Sequence, residues 1–240
     1  MNNEEYLEIL NNPDSWFEQA FAQKMVADKL LVDVIINKDF LNGLKDAHNM
    51  SKFIALWANA LFHYGLGIEN GLKGVIIKNK PELINFEVSR DDVILRDIGG
   101  KAGKSHDLYS LAYRAGILDR SLHLFKTDFD KKLVKNVLQN LSDMIKWAAR
   151  YPIPKTLSKM FQVENNVPII CVYGFHILDV IEPIYCYFKS LIKSNNDFDE
   201  DYLERFLDPG LMGKEKESLR WGGSNVLGCG EIFGGCREEK

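Results

Sequence analysis

Apolar residues recur at three- and four-residue steps over most of the first 150 positions, so helices are the elements this chain predicts. Phe17, Phe21, Leu31, Val34 and Ile35 trace one stripe. Ser15 followed three residues on by Glu18 has the form of a capping box, which predicts a helix from 15 to about 37. A second segment puts Ile54, Trp57, Leu61, Ile68, Leu72 and Val75 on one face, from near Ser51 to a stop at Pro81. Gly65, Gly67, Gly71 and Gly74 lie inside it, and in an exposed helix each loses roughly 1 kcal/mol against alanine. Close packing against another helix is expected there. Residues 81–104 read as a loop, with Gly99, Gly100 and Gly103 as breakers. Ser105 is placed to cap a short helix over 106–115, closed by Gly116. A long helix then starts at Thr127 or Asp128 and shows Phe129, Leu133, Val137, Leu141, Met144 and Ala148 on one side. It must end near Arg150, because Pro152 disfavours helical geometry at Tyr151.

Beyond Pro152 and Pro154 the pattern changes. Residues 167–192, VPIICVYGFHILDVIEPIYCYFKSLI, are long enough on paper to cross a bilayer. His176, Asp179, Glu182 and Lys189 would be expensive in hydrocarbon and Pro183 would break the span, so a buried helix pair is expected and no membrane. An acidic amphipathic helix follows at about 199–207, with Tyr202, Leu203 and Phe206 inward. The last residues, WGGSNVLGCGEIFGGCREEK, hold neither strand nor helix period and read as an irregular glycine-rich arm.

Composition sharpens this picture in two ways. In 240 residues, 46% apolar side chains suffice for a real core and exclude a disordered chain. The formal net charge of −4 excludes a general polyanion binder, but it hides an asymmetry. Residues 51–160 carry 18 basic and 11 acidic side chains, a net +7, while the rest carry 12 and 23, a net −11. Solvated helix faces account for this, or else a central module with an electropositive face. Cys171, Cys186, Cys229 and Cys236 are too few for a disulfide framework and are read as reduced thiols. Cys229 and Cys236 alone do not make a zinc site, and no metal or cofactor is expected. The opening MNNEEYLEIL is acidic where a secretory leader is basic, so the protein is expected in the cytoplasm.

The common catalytic signatures, including G-x-S-x-G, the P-loop and H-E-x-x-H, are missing. Three short segments stand out in order: FHYGLGIENGLK at 62–73, Ser-His-Asp-Leu at 105–108, and Ala-Arg-Tyr-Pro at 149–152. Together they resemble the HEPN domain family, small all-α bundles associated with RNA or nucleotides. The resemblance covers about 51–154, which is also the basic segment. It implies an all-α, HEPN-like helical bundle at 51–154, with an N-terminal helical extension at 1–50, C-terminal helices packing on the bundle at 155–208, and an irregular tail at 209–240.

The chemistry of these residues is readable apart from the family. Glu69 and Lys73 at i, i+4 can pair along a helix, worth a few tenths of a kcal/mol if exposed; if partly buried they can form an ionic ring with His106 or Arg150. Asp107 sits where a helix dipole favours a carboxylate. Arg150 at a helix end can offset free carbonyls or grip a phosphate. Two readings stand side by side: a polar network of Glu69, Asp107 and Tyr151 joining helix ends, and a phosphate or nucleotide site of Lys73, Lys104, His106 and Arg150. Catalytic HEPN members resemble metal-independent ribonucleases with an arginine followed after four to six residues by a histidine. This chain lacks that pair. The resemblance therefore implies an RNA- or nucleotide-binding protein in a defence or toxin–antitoxin setting, with two alternatives: a metal-independent ribonuclease with a non-standard site, or a homodimeric interaction module without catalysis. A nucleotidyltransferase-type antitoxin is the partner such a setting implies.

Overall fold

The computed structural model describes residues 3–36, 47–89, 92–104, 106–122, 124–125, 127–148, 163–164, 167–168 and 177–192. Outside them lie Ser105, Arg150, Tyr151, the helix expected at 199–207 and the tail with Cys229 and Cys236. Of the described residues 79% are helical, in keeping with an all-α class. The chain divides into two compact units, Met1–Lys189 and Ser190–Lys240, and the packing below belongs to the first.

Two N-terminal helices, α1 (Asn3–Asn11) and α2 (Pro13–Ile36), meet at Asn12. The Asn12 side chain accepts a hydrogen bond from the Asp14 amide at 3.1 Å, with Pro13 in the first helical position where a missing N–H costs nothing. The capping box expected at Ser15 and Glu18 is thus replaced by an asparagine cap, and both residues lie inside α2. Trp16 Nε1 donates to the Leu10 carbonyl at 3.1 Å and ties α1 to α2.

The long third helix, α3 (Ala47–Asn79), begins four residues before Ser51 and ends ahead of Pro81. Its stripe of Trp57, Leu61, Ile68, Leu72 and Val75 is buried as expected, and Tyr64 joins it. The glycines are where neighbouring elements come closest. A Cβ on Gly67 would strike the Tyr185 hydroxyl and lie 2.8 Å from the Ala20 carbonyl oxygen, and one on Gly71 would enter the Phe188 ring. On Gly65 it would lie 2.7 Å from Ile145 Cγ2. Three neighbours therefore share one helix: α2, the turn Met144–Ala148, and α7 (Leu178–Leu191).

Residues 81–104, expected as a loop, hold an antiparallel hairpin instead. Strands β1 (Ile84–Val88) and β2 (Val93–Ile98) pair from Ile84 with Ile98 to Val88 with Val93, with an irregularity between Asn85 and Phe86. Ile, Phe and Val alternate with Asn and Glu along β1, which suits a strand, yet Phe86, Val88 and Ile94 are exposed. On β2, Val93 and Ile98 are buried. Gly99 then turns the chain at φ 78° into a short helix, α4 (Lys101–Lys104), and α5 (Leu108–Ala115) follows. As expected, Gly116 closes α5, in the left-handed region at φ 85°.

Thr127 starts α6 (Asp128–Asp143) with a capping box to Asp130, and a single wide turn, Met144–Ala148, continues it. A two-residue pairing of β3 (Val163–Glu164) with β4 (Val167–Pro168) lies further on. The helix pair expected across 167–192 is one helix among the described residues, α7, and Pro183 does not break it. Burial of Val180, Ile181, Ile184, Tyr185 and Phe188 on both sides of Pro183 outweighs the roughly 3 kcal/mol a mid-helix proline costs. Cys186 on α7 is disulfide-bonded, which corrects the reading of four reduced thiols. Sequence spacing carries no information about which distant cysteines a fold apposes. No helix among the described residues is long and apolar enough to cross a membrane.

Candidate functional site

The site is built where α4 hands over to α5. His106 donates its amide to the Gly103 carbonyl at 3.2 Å, and Asp107 donates to Ala102 at 3.0 Å, the paired bonds of a Schellman helix end. That motif places its left-handed residue at His106, whose φ is 51°. Glycine usually sits there, because a Cβ makes the conformation costly by about 1–2 kcal/mol. Asp107, the next residue, is also the N-cap of α5: its carboxylate accepts from the Ser110 amide at 3.1 Å and from the Ser110 hydroxyl at 2.8 Å. Partial burial works against its charge, but the Ser110 bonds and nearby Lys146 lower its pKa. Thus Ser105 is not the cap of α5, and one tight corner ends a helix and begins another.

The same corner aims the His106 ring at α3. Its Nδ1 lies 2.9 Å from Glu69 Oε2 and 3.1 Å from Oε1, across 37 residues of sequence. Glu69 is only 4% exposed, so its charge needs partners, and Lys73 Nζ supplies the second at 2.6 Å from Oε1. Lys73 also rests 5.8 Å from the centroid of Trp16, which brings α2 to the cluster. A carboxylate accepts only, so Nδ1 carries the proton and Nε2 remains the acceptor of the neutral ring. The His106 side chain is 42% exposed, and Nε2 has no protein partner among the described residues. A histidine held this way is able to take a proton from a bound hydroxyl and return it.

Of the residues singled out from sequence, Glu69, Lys73 and His106 converge and Asp107 adjoins them. The Lys104 side chain, Arg150 and Tyr151 lie outside the description. Two participants had no sequence signal. Lys146, on the wide turn after α6, faces Asp107 electrostatically. Buried Ser142 accepts from the Leu108 amide at 2.9 Å and donates to the Leu138 carbonyl at 2.7 Å, locking the start of α5 onto α6.

The chain matches no protein-family model, no curated protein and no solved structure. Its chemistry is read from its own residues.

A second polar cluster is structural. Lys24 on α2 reaches Asp28 at 2.7 Å and Glu182 on α7 at 2.9 Å, and the Tyr64 hydroxyl donates to Asp28. Burial opposes the Lys24 charge, but Glu182 and Asp28 more than offset it and hold its pKa above the ordinary value. Burial, with the Asp28 charge and its hydrogen bond, pushes the Tyr64 hydroxyl well up, so it stays a donor. Among the described residues no buried side-chain nitrogen or oxygen lacks a partner, so this cluster has no atom waiting for a ligand. Nor does any group of three or more His, Cys, Asp or Glu there suit a metal ion.

Proposed function

We propose that the protein is a HEPN-like helical protein that binds RNA or a nucleotide, with Lys73, Lys104, His106 and Arg150 around the bound phosphate. The observation that carries this reading is His106: a half-exposed histidine in a left-handed backbone position, bonded to a buried carboxylate that a lysine shares. A fold that tolerates such strain at a position suited to glycine holds that ring for a use. The net +7 of residues 51–160 supplies the surrounding field. The setting, by resemblance, is cytoplasmic defence or a toxin–antitoxin pair, with a homodimer or a nucleotidyltransferase-type antitoxin as partner.

A second reading, a metal-independent ribonuclease, is favoured by the Glu69–His106 dyad, whose Nε2 has no partner among the described residues. Here His106 is the proton-transfer group, and Arg150, in place of the family's nearby arginine, is the clamp. One experiment addresses both. Full-length protein is incubated with mixed single-stranded RNA in EDTA over a salt series, as wild type and as Lys73→Ala, His106→Gln and Arg150→Ala. Retention that falls steeply with salt is expected, each lost phosphate contact flattening the slope by about 0.7. Cleavage abolished by His106→Gln marks the enzyme; uncleaved, retained RNA marks the binder. The absence of both retention and cleavage at low salt rejects both readings.

A further inference from the structure

The groove between α5 and α6 has a composition that neither the core nor the Glu69 cluster uses. Tyr109 and Tyr113 are four residues apart on α5 and share a face. Together with Asp119, Phe125, Lys131 and Val134 they line an open cleft of about 180 Å³. Tyr113 is 74% exposed, the largest exposure of any large apolar or aromatic side chain described, and among the described residues neither its ring nor its hydroxyl has a partner. Among the described residues Phe125 makes no contact with another ring. The Lys135 ammonium lies 5.8 Å from the Tyr109 ring centroid.

Three aromatic rings that do not stack on one another, turned to one cleft beside a cation, suit a flat heteroaromatic ring carrying a phosphate. Size narrows the ligand further. Pockets that enclose drug-sized molecules measure roughly 300–1,000 Å³, so this cleft takes one ring and leaves sugar and phosphate outside, beside Lys131 and Lys135. Asp119 adds a carboxylate acceptor held by the Ser121 amide at 2.9 Å. Guanine, with two adjacent N–H donors on its edge, is the base that best matches a carboxylate.

We propose that this cleft is a base-stacking site for a single nucleobase, guanine by preference, belonging to a single-stranded RNA or a free nucleotide. It rests on the reading of the chain as an RNA or nucleotide binder, but uses a face separate from His106. The test uses the full chain and two probes: guanosine monophosphate, followed by aromatic-ring NMR shifts, and a labelled guanine-containing single-stranded RNA, followed by anisotropy. Tyr113→Ala is the main variant, since Tyr113 is 74% exposed and lies outside the core; Lys73→Ala reports on the other site. Removing one stacking ring is expected to weaken RNA binding about 5- to 100-fold, and the nucleotide is expected to shift the Tyr109, Tyr113 and Phe125 rings.

RNA bound equally by wild type and Tyr113→Ala, with no ring shifts from the nucleotide, overturns the cleft and leaves the proposed function standing. Ring shifts with the nucleotide but no RNA retention keep the cleft, name the free nucleotide as its source and reject RNA as the ligand. Binding of neither probe overturns both. Ring shifts that follow protein concentration rather than ligand mark an interface between copies and also overturn it.

Discussion

His106 concentrates the argument at the scale of the residue. Its backbone is strained and its ring is tied to Glu69, and substitution separates the two contributions. His106→Gly and His106→Ala both remove the hydrogen bond to Glu69, but only glycine relaxes the left-handed corner. His106→Gly is therefore expected to be more stable than His106→Ala by about 1 kcal/mol in urea unfolding. Equal midpoints would show that the corner stores no strain and would remove the main support for a functional histidine. The Glu69–Lys73 spacing was legible in the sequence, as was a position for Asp107 at a helix start. That His106 meets Glu69 was legible only as one of two partners, since Arg150 satisfied the same charge logic. Lys146 and Ser142 were illegible, because nothing in their own neighbourhood marks which helix end they will face.

Among the elements, α3 is the axis on which the others pack, and its glycines test that. Replacing a helical glycine by alanine gains about 1 kcal/mol of propensity, while overpacking a filled site costs about 1–3 kcal/mol or more. At Gly67 the obstacle includes backbone, the Ala20 carbonyl at 2.8 Å, and at Gly71 it is the fully buried Phe188 ring. Neither can yield without parting α3 from its neighbour. At Gly74 the nearest atom is Phe17 Cε1 at 3.0 Å, a smaller intrusion. Gly67→Ala and Gly71→Ala are expected to lower stability by more than 1 kcal/mol, and Gly74→Ala to stay within about 1 kcal/mol of wild type, in the same unfolding assay. A neutral Gly67→Ala would mean that α2 and α3 are not in this register. Sequence alone anticipated close packing here, because four glycines in a long apolar helix need a reason. It missed the hairpin at 84–98, where Phe86, Val88 and Ile94 are exposed and the breakers Gly99, Gly100 and Gly103 point to a loop.

For the whole molecule, the disulfide at Cys186 changes the expected chemistry of the chain. Protein denatured without reductant is expected to show at most two reactive thiols of the four cysteines, rising to four after reduction; four at the outset would contradict the bond. Disulfides persist in oxidising surroundings, so the same titration also bears on the compartment proposed from the acidic N-terminus. The sequence by itself determined that the chain is mainly helical, where its long helices lie, that α3 is closely packed, and that a basic middle separates acidic flanks. These follow from local periodicity, breakers and composition, which act over a turn or two of chain. Only the tertiary structure decided that His106 takes a glycine's backbone to reach Glu69, that Pro183 stays within a helix, and that Tyr109 and Tyr113 open onto a cleft. Each depends on atoms tens of residues apart, whose packing free energy outweighs the local preference.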